Sequence, residues 1–130
     1  HDLQLLSDSE GKPKLGVFCR GGITPEPDKS MVSAYADAGL NWFAPLPGRA
    51  NDVAGAAVSW TRFGRAFRNS TGPEGVAESE ITVELTYRAP VTRWLAMQAD
   101  AQFLFNPAAN PNSSDRETAT VLGLRAEISF

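Results

Sequence analysis

What most limits how this chain can fold is a two-residue alternation of apolar and polar side chains, repeated in segments of about ten residues. The last segment, Thr120-Val121-Leu122-Gly123-Leu124-Arg125-Ala126-Glu127-Ile128-Ser129-Phe130, shows it most fully. Leu122, Leu124, Ala126, Ile128 and Phe130 fall on one side, and Val121, Gly123, Arg125, Glu127 and Ser129 on the other. Successive side chains of a strand point to opposite faces, so this period describes a strand with one apolar and one polar face. A terminal aromatic on the apolar face is a common ending of bacterial outer-membrane barrels, whose closing strand pairs fully and sets its last ring at the membrane interface.

The same period recurs upstream. In 14–22, Leu15, Val17 and Cys19 oppose Gly16, Phe18 and Arg20. In 30–43, Val32, Ala34, Ala36, Ala38, Leu40 and Trp42 oppose Ser33, Tyr35, Asp37, Gly39 and Asn41; the Ala-rich stretch 31–40 also suits a helix, but Gly39 and the alternation favour a strand. In 53–63, Ala54, Ala56, Val58 and Trp60 oppose Gly55, Ala57, Ser59 and Thr61. In 80–88, Ile81, Val83, Leu85 and Tyr87 alternate with Glu80, Thr82, Glu84, Thr86 and Arg88. In 94–105, Leu95, Met97, Ala99, Ala101, Phe103 and Phe105 alternate with Trp94, Ala96, Gln98, Asp100 and Gln102.

These segments predict six strands, each of the roughly 9–11 residues that cross a bilayer at a tilt. Short connections at 45–52 and 89–92 alternate with longer ones at 23–29, 64–78 and 106–116, the last three rich in Pro, Gly, Asn or Ser. Short turns at one end and long loops at the other are the rhythm of an up-and-down transmembrane barrel. The expected fold is therefore all-β and antiparallel, with a lumen-facing polar band of Arg20, Asp37, Glu84, Arg88, Asp100, Arg125 and Glu127. Trp42, Tyr87, Phe105 and Phe130 lie near strand ends, where aromatic rings form interfacial girdles. The competing expectation is a soluble β-rich ligand-binding module, sandwich or lipocalin-like, whose polar face meets water.

Composition narrows the remaining classes. A chain of 130 residues is one domain in size, and it holds no apolar run as long as a membrane helix. A net charge of -3 leaves no basic footprint for nucleic acid. One His and one Cys form no metal constellation, and no cofactor is expected. Ser9-Glu10-Gly11-Lys12 matches the S-x-x-K spacing of some acylating enzymes but has no partner motif, so an enzyme is not expected. Asn69-Ser70-Thr71 and Asn112-Ser113-Ser114 spell glycosylation sequons and read here as polar loop residues.

Several short motifs resemble the carbohydrate-selective porin family typified by OprB. They are Gly39-Leu40, Pro47-Gly48-Arg49 followed by Asp52, Glu84-Leu85-Thr86-Tyr87-Arg88, Gln98-Ala99-Asp100-Ala101-Gln102, Asn106-Pro107 and Gly123-Leu124-Arg125 before Phe130. The resemblance runs over about 16–130 and follows the C-terminal portion of the family in order. It implies the C-terminal part of a sixteen-stranded outer-membrane barrel that passes monosaccharides such as glucose by diffusion. The implied partners are carbohydrate solutes, outer-membrane lipid and the barrel-assembly machinery, reached through the strand ending at Phe130; a homotrimer is left open. The inward-folded loop that forms the family's constriction has no counterpart in this stretch, so its sugar-selecting residues are not carried over. Within the polar band, each residue is either a sugar contact or half of a cross-strand pair that stiffens the wall.

Overall fold

The computed structural model describes residues 2–7, 11–26, 29–70, 77–107 and 118–129. Among the described residues, seven strands form one sheet in the order of the sequence: β1 (Asp2–Ser7), β2 (Pro13–Ile23), β3 (Val32–Phe43), β4 (Val53–Phe63), β5 (Ser79–Pro90), β6 (Leu95–Phe105) and β7 (Thr118–Ile128). All neighbours pair antiparallel, so each strand returns beside the one before it. Strands β2 to β7 run 11 or 12 residues. One short helix, α1 (Arg65–Ser70), interrupts the connection between β4 and β5.

All six expected strands are present, and the Ala-rich segment is strand β3. The seventh, β1, was not expected. Its pairing explains why: Leu3 lies opposite Val17 and Leu6 opposite Leu15, with a register shift between Gln4 and Leu6. A shift of that kind takes a strand out of its two-residue period and removes the pattern by which it would be read. The rhythm of the connections is also looser than expected, since the turn at 44–52 is about as long as the loop at 24–31.

Paired residues of an antiparallel ladder point to the same face, so the register sorts the side chains. One outward row is Leu15, Trp42, Ala54, Tyr87, Ala99 and Leu124, and the next is Val17, Leu40, Ala56, Leu85, Ala101 and Leu122. The opposite face carries Gly16, Asn41, Gly55, Thr86, Asp100 and Gly123 in one row, and Phe18, Gly39, Ala57, Glu84, Gln102 and Val121 in another.

Among the described residues, nothing is packed on the apolar face. Leu122 is 77% exposed and Leu124 73%, and Leu40, Val58, Leu85 and Ile128 are exposed beside them. Among the described residues the only buried apolar side chain is Ala96, at 8% exposure. A sandwich would turn these same residues onto a second layer about 10 Å away. Here the sheet has two surfaces and no core between them, which is how a barrel wall meets lipid on one side and a polar lumen on the other.

Candidate functional site: the polar inner face and its two ends

The inner band divides by hydrogen bonding. Arg20 Nε donates to Asp37 Oδ1 at 3.0 Å, directly across the β2–β3 ladder. The Arg20 guanidinium also lies 5.3 Å from the centre of the Phe18 ring. Arg88 donates to Glu127 Oε2 at 3.0 Å, joining β5 to β7 over the intervening strand β6. Gln102 Nε2 donates to Glu84 Oε2 at 2.9 Å. Two of the seven expected residues stand apart: Asp100 and Arg125 make no hydrogen bond or ion pair among the described residues. Asp100 is paired in register with Gly123, and Arg125 with Gln98, two positions along the same β6–β7 ladder. Diagonal neighbours of this kind are about 7–8 Å apart at Cα. The Asp100 carboxylate lies over Gly123, where a Cβ would stand 2.8 Å from its Cγ, so a carboxylate and a guanidinium stand near each other on the inner surface.

Glycine makes this surface close-packed where it has to be. A Cβ at Gly39 would stand 2.6 Å from the Phe18 ring and 2.8 Å from the Ala56 carbonyl oxygen. A Cβ at Gly55 would meet Thr86 Oγ1 at 2.5 Å, so Thr86 leans over the backbone of β4. Phe18, Gly55, Ala57, Asn41, Glu84 and Thr86 line a shallow hollow of about 110 Å³ there. Phe18, Asn41 and Thr86 could be placed on the polar face from the alternation alone. Their contact could not, because it depends on register.

The short-turn end is held by a separate cluster. Pro47 and Gly48, the latter with φ 76°, occupy the middle of a turn closed by Arg49 N–H donating to the Leu46 carbonyl at 3.2 Å. Pro at the second position and a positive-φ Gly at the third make this a type II arrangement. Asp52 N–H then bonds the Arg49 carbonyl, and Arg49 Nε donates to Asp52 Oδ2 at 2.7 Å. The Tyr87 hydroxyl donates to the same carboxylate oxygen. Asp52 is 2% exposed, and the Arg49 and Tyr87 hydrogen bonds hold its carboxyl below the usual carboxylate range. Tyr87 stands on the outward face by register, but its hydroxyl reaches back to the turn. The sequence motif Pro-Gly-Arg with Asp52 was visible; its link to Tyr87, 35 residues on, was not.

The aromatic positions fall at both ends. Trp42 and Phe105 are exposed on the outward face, as is Trp60, which pairs with Ala36. From Trp42 to Ala36 along β3 is about 20 Å at roughly 3.4 Å per residue, close to the ~25 Å apolar band of outer-membrane barrels. Phe130 lies outside the described residues. The sequence reading also put no charge on the outward face. Arg62 corrects it: it pairs with Ala34 beyond Trp60 and faces outward, where it donates to Glu78. At the end of a strand, past the aromatic level, a guanidinium reaches polar surroundings and is tolerated.

An up-and-down antiparallel sheet with a bare apolar exterior and a hydrogen-bonded polar interior defines a wall segment of a transmembrane β-barrel. The chain belongs to the carbohydrate-selective porin, OprB family, whose model matches residues 3–130. Among solved structures, the high-pH structure of Pseudomonas putida OprB matches with a TM-score of 0.79 and 20% sequence identity, over 99% of this chain. The chain covers 34% of that protein, and the likeness concerns the fold. A search of curated proteins found no match.

Proposed function

We propose that residues 1–130 form the C-terminal part of the wall of an outer-membrane porin through which carbohydrates, monosaccharides such as glucose among them, diffuse without chemical change. The observation that carries this reading is the division of the sheet into an unpacked apolar face and a polar face whose charges are largely hydrogen-bonded. Membership of the carbohydrate-selective family supports that solute class. Sugars are neutral polyols, so a lumen serves them with fixed donors and acceptors rather than net charge. Asp100 and Arg125 suit that role because, among the described residues, their groups are not spent on protein partners. Arg20, Asp37, Arg88, Glu127 and Glu84 stiffen the wall while keeping outer lone pairs and N–H groups toward the lumen. The bacterial outer membrane is the location this requires. Strand β7 and Phe130 are the segment that the barrel-assembly machinery would engage.

The test is single-channel conductance of the complete porin in a planar bilayer while glucose is added. Stepwise conductance that falls with sugar, and a weaker fall in Asp100→Asn/Arg125→Gln, supports the reading. Sugar block that survives both that variant and Glu84→Ala/Arg125→Ala removes the direct role of these residues. A protein that stays dispersed without detergent and forms no channel returns the soluble binding module to first place.

A further inference from the structure

The loop end of the sheet holds a groove that the transport reading leaves unused. It has a volume of about 400 Å³ and is lined by Ile23, Ala34, Arg62, Gly64, Arg65 and Arg68, among others. Ile23, Ala34 and Arg62 share one register row with outward orientation, two residues beyond the row of Trp60. Ile23 is 85% exposed. Ser33 and Phe63, of the opposite set, join the lining, so the groove straddles the strand ends at the rim of the apolar exterior.

Its charge is unbalanced. Arg62 is bonded to Glu78 at 2.5 Å. Arg65 forms no hydrogen bond or ion pair, and the Arg68 Nε is buried without a hydrogen-bond partner, both among the described residues. A buried guanidinium N–H without an acceptor is costly unless something supplies one. α1 brings these arginines together: Phe67 packs on Phe63 with ring centres 5.5 Å apart, and Gly64 N–H bonds the Met31 carbonyl, which ties the helix to the strand ends.

We propose that this groove binds the phosphate of an anionic lipid, whose acyl chains run down the outward face past Ile23 and Trp60. Two guanidinium groups without a hydrogen-bond partner among the described residues suit a phosphate, which can accept two parallel N–H bonds from a guanidinium. The adjoining apolar row suits the chain of a lipid and offers nothing to a free ion. Arg62 stands about 7 Å beyond the Trp60 level, at headgroup height above an aromatic girdle. The proposal rests on the reading that the outward face meets lipid.

The experiment uses the complete porin in detergent and native mass spectrometry. Its probes are short-chain phosphatidic acid, the matching phosphate-free diacylglycerol, and inorganic phosphate. The expected result is retention of phosphatidic acid, with about thirtyfold weaker retention in Arg65→Gln/Arg68→Gln. Arg65→Gln alone, at an exposed side chain, should weaken retention several-fold, and covers the case in which the double variant does not fold. Glu78→Gln should strengthen it. Equal retention of diacylglycerol, or unchanged retention in the variants, overturns the proposal. Competition by inorganic phosphate at equal affinity would make the groove a solute-anion site and overturn the lipid assignment. Channel conductance of the same variants should be unchanged, so loss of the channel and loss of the lipid are read separately.

Discussion

The two faces of this sheet are built from alternate residues of the same strands, yet they hold together by different physics. On β5, Leu85 points outward and is exposed, while its neighbour Glu84 points inward and is hydrogen-bonded to Gln102. Between its two ends, the outward face has no second layer packed on it among the described residues and relies on its surroundings being apolar. The inward face relies on itself: Arg20 with Asp37, Arg88 with Glu127, and the Phe18 ring over Gly39. A strand thus carries two independent sets of requirements, one for the medium and one for its neighbours.

The most severe way to break that contrast is to place the same side chain on each face in turn. Leu85→Arg puts a charge in the lipid-facing band and should cost roughly 2–4 kcal/mol in urea-gradient folding into vesicles. Thr82→Arg, inward on the same strand, should change stability by no more than about 0.5 kcal/mol. Equal costs would mean that the outward face does not meet lipid.

The inner wall is tested next by overfilling it. Gly39→Val sets a side chain against both the Phe18 ring and the Ala56 carbonyl, and should cost about 1–3 kcal/mol. Truncating the ring should relieve part of this, so Gly39→Val/Phe18→Ala should be less destabilised than the two single changes added together. Strict additivity would show that the ring does not lie over Gly39.

The turn cluster belongs to neither face and should respond to pH. Because Arg49 and Tyr87 lower the Asp52 pKa in the folded protein, their contribution is fully present above the unfolded value of about 4. It disappears as pH falls through the lower folded value. Asp52→Asn should therefore unfold at a lower temperature than the parent at pH 7, and the gap should close on acidification below about pH 4. A gap that is constant with pH would mean that the carboxylate charge is not what holds the turn.

The smallest effect is expected from the exposed cross-strand pair. Arg20→Gln should cost about 0.2–1 kcal/mol and fade in high salt, as solvent-exposed ion pairs do. A larger, salt-insensitive loss would show that stacking on Phe18 outweighs the ion pair.

Much of this architecture was legible in the chain because a pleated strand has a period of two, and that period assigns faces without any knowledge of neighbours. The outward Leu122 and Leu124 and the inward Arg125 and Glu127 could be read this way. β1 could not, because its register shift interrupts the period, and Arg62 could not, because a charge at the strand end breaks the apolar set that ends at Trp60. What the tertiary structure alone decided is partnership. Register sets Arg88 against Glu127, 39 residues away, and leaves Asp100 and Arg125 without a partner among the described residues. It carries the Tyr87 hydroxyl to Asp52 and gathers Arg62, Arg65 and Arg68 around one groove. Periodicity is a property of one strand and is written locally. Pairing depends on how far each strand slides against the next, and that offset is set by turns, bulges and side chains acting together across the sheet.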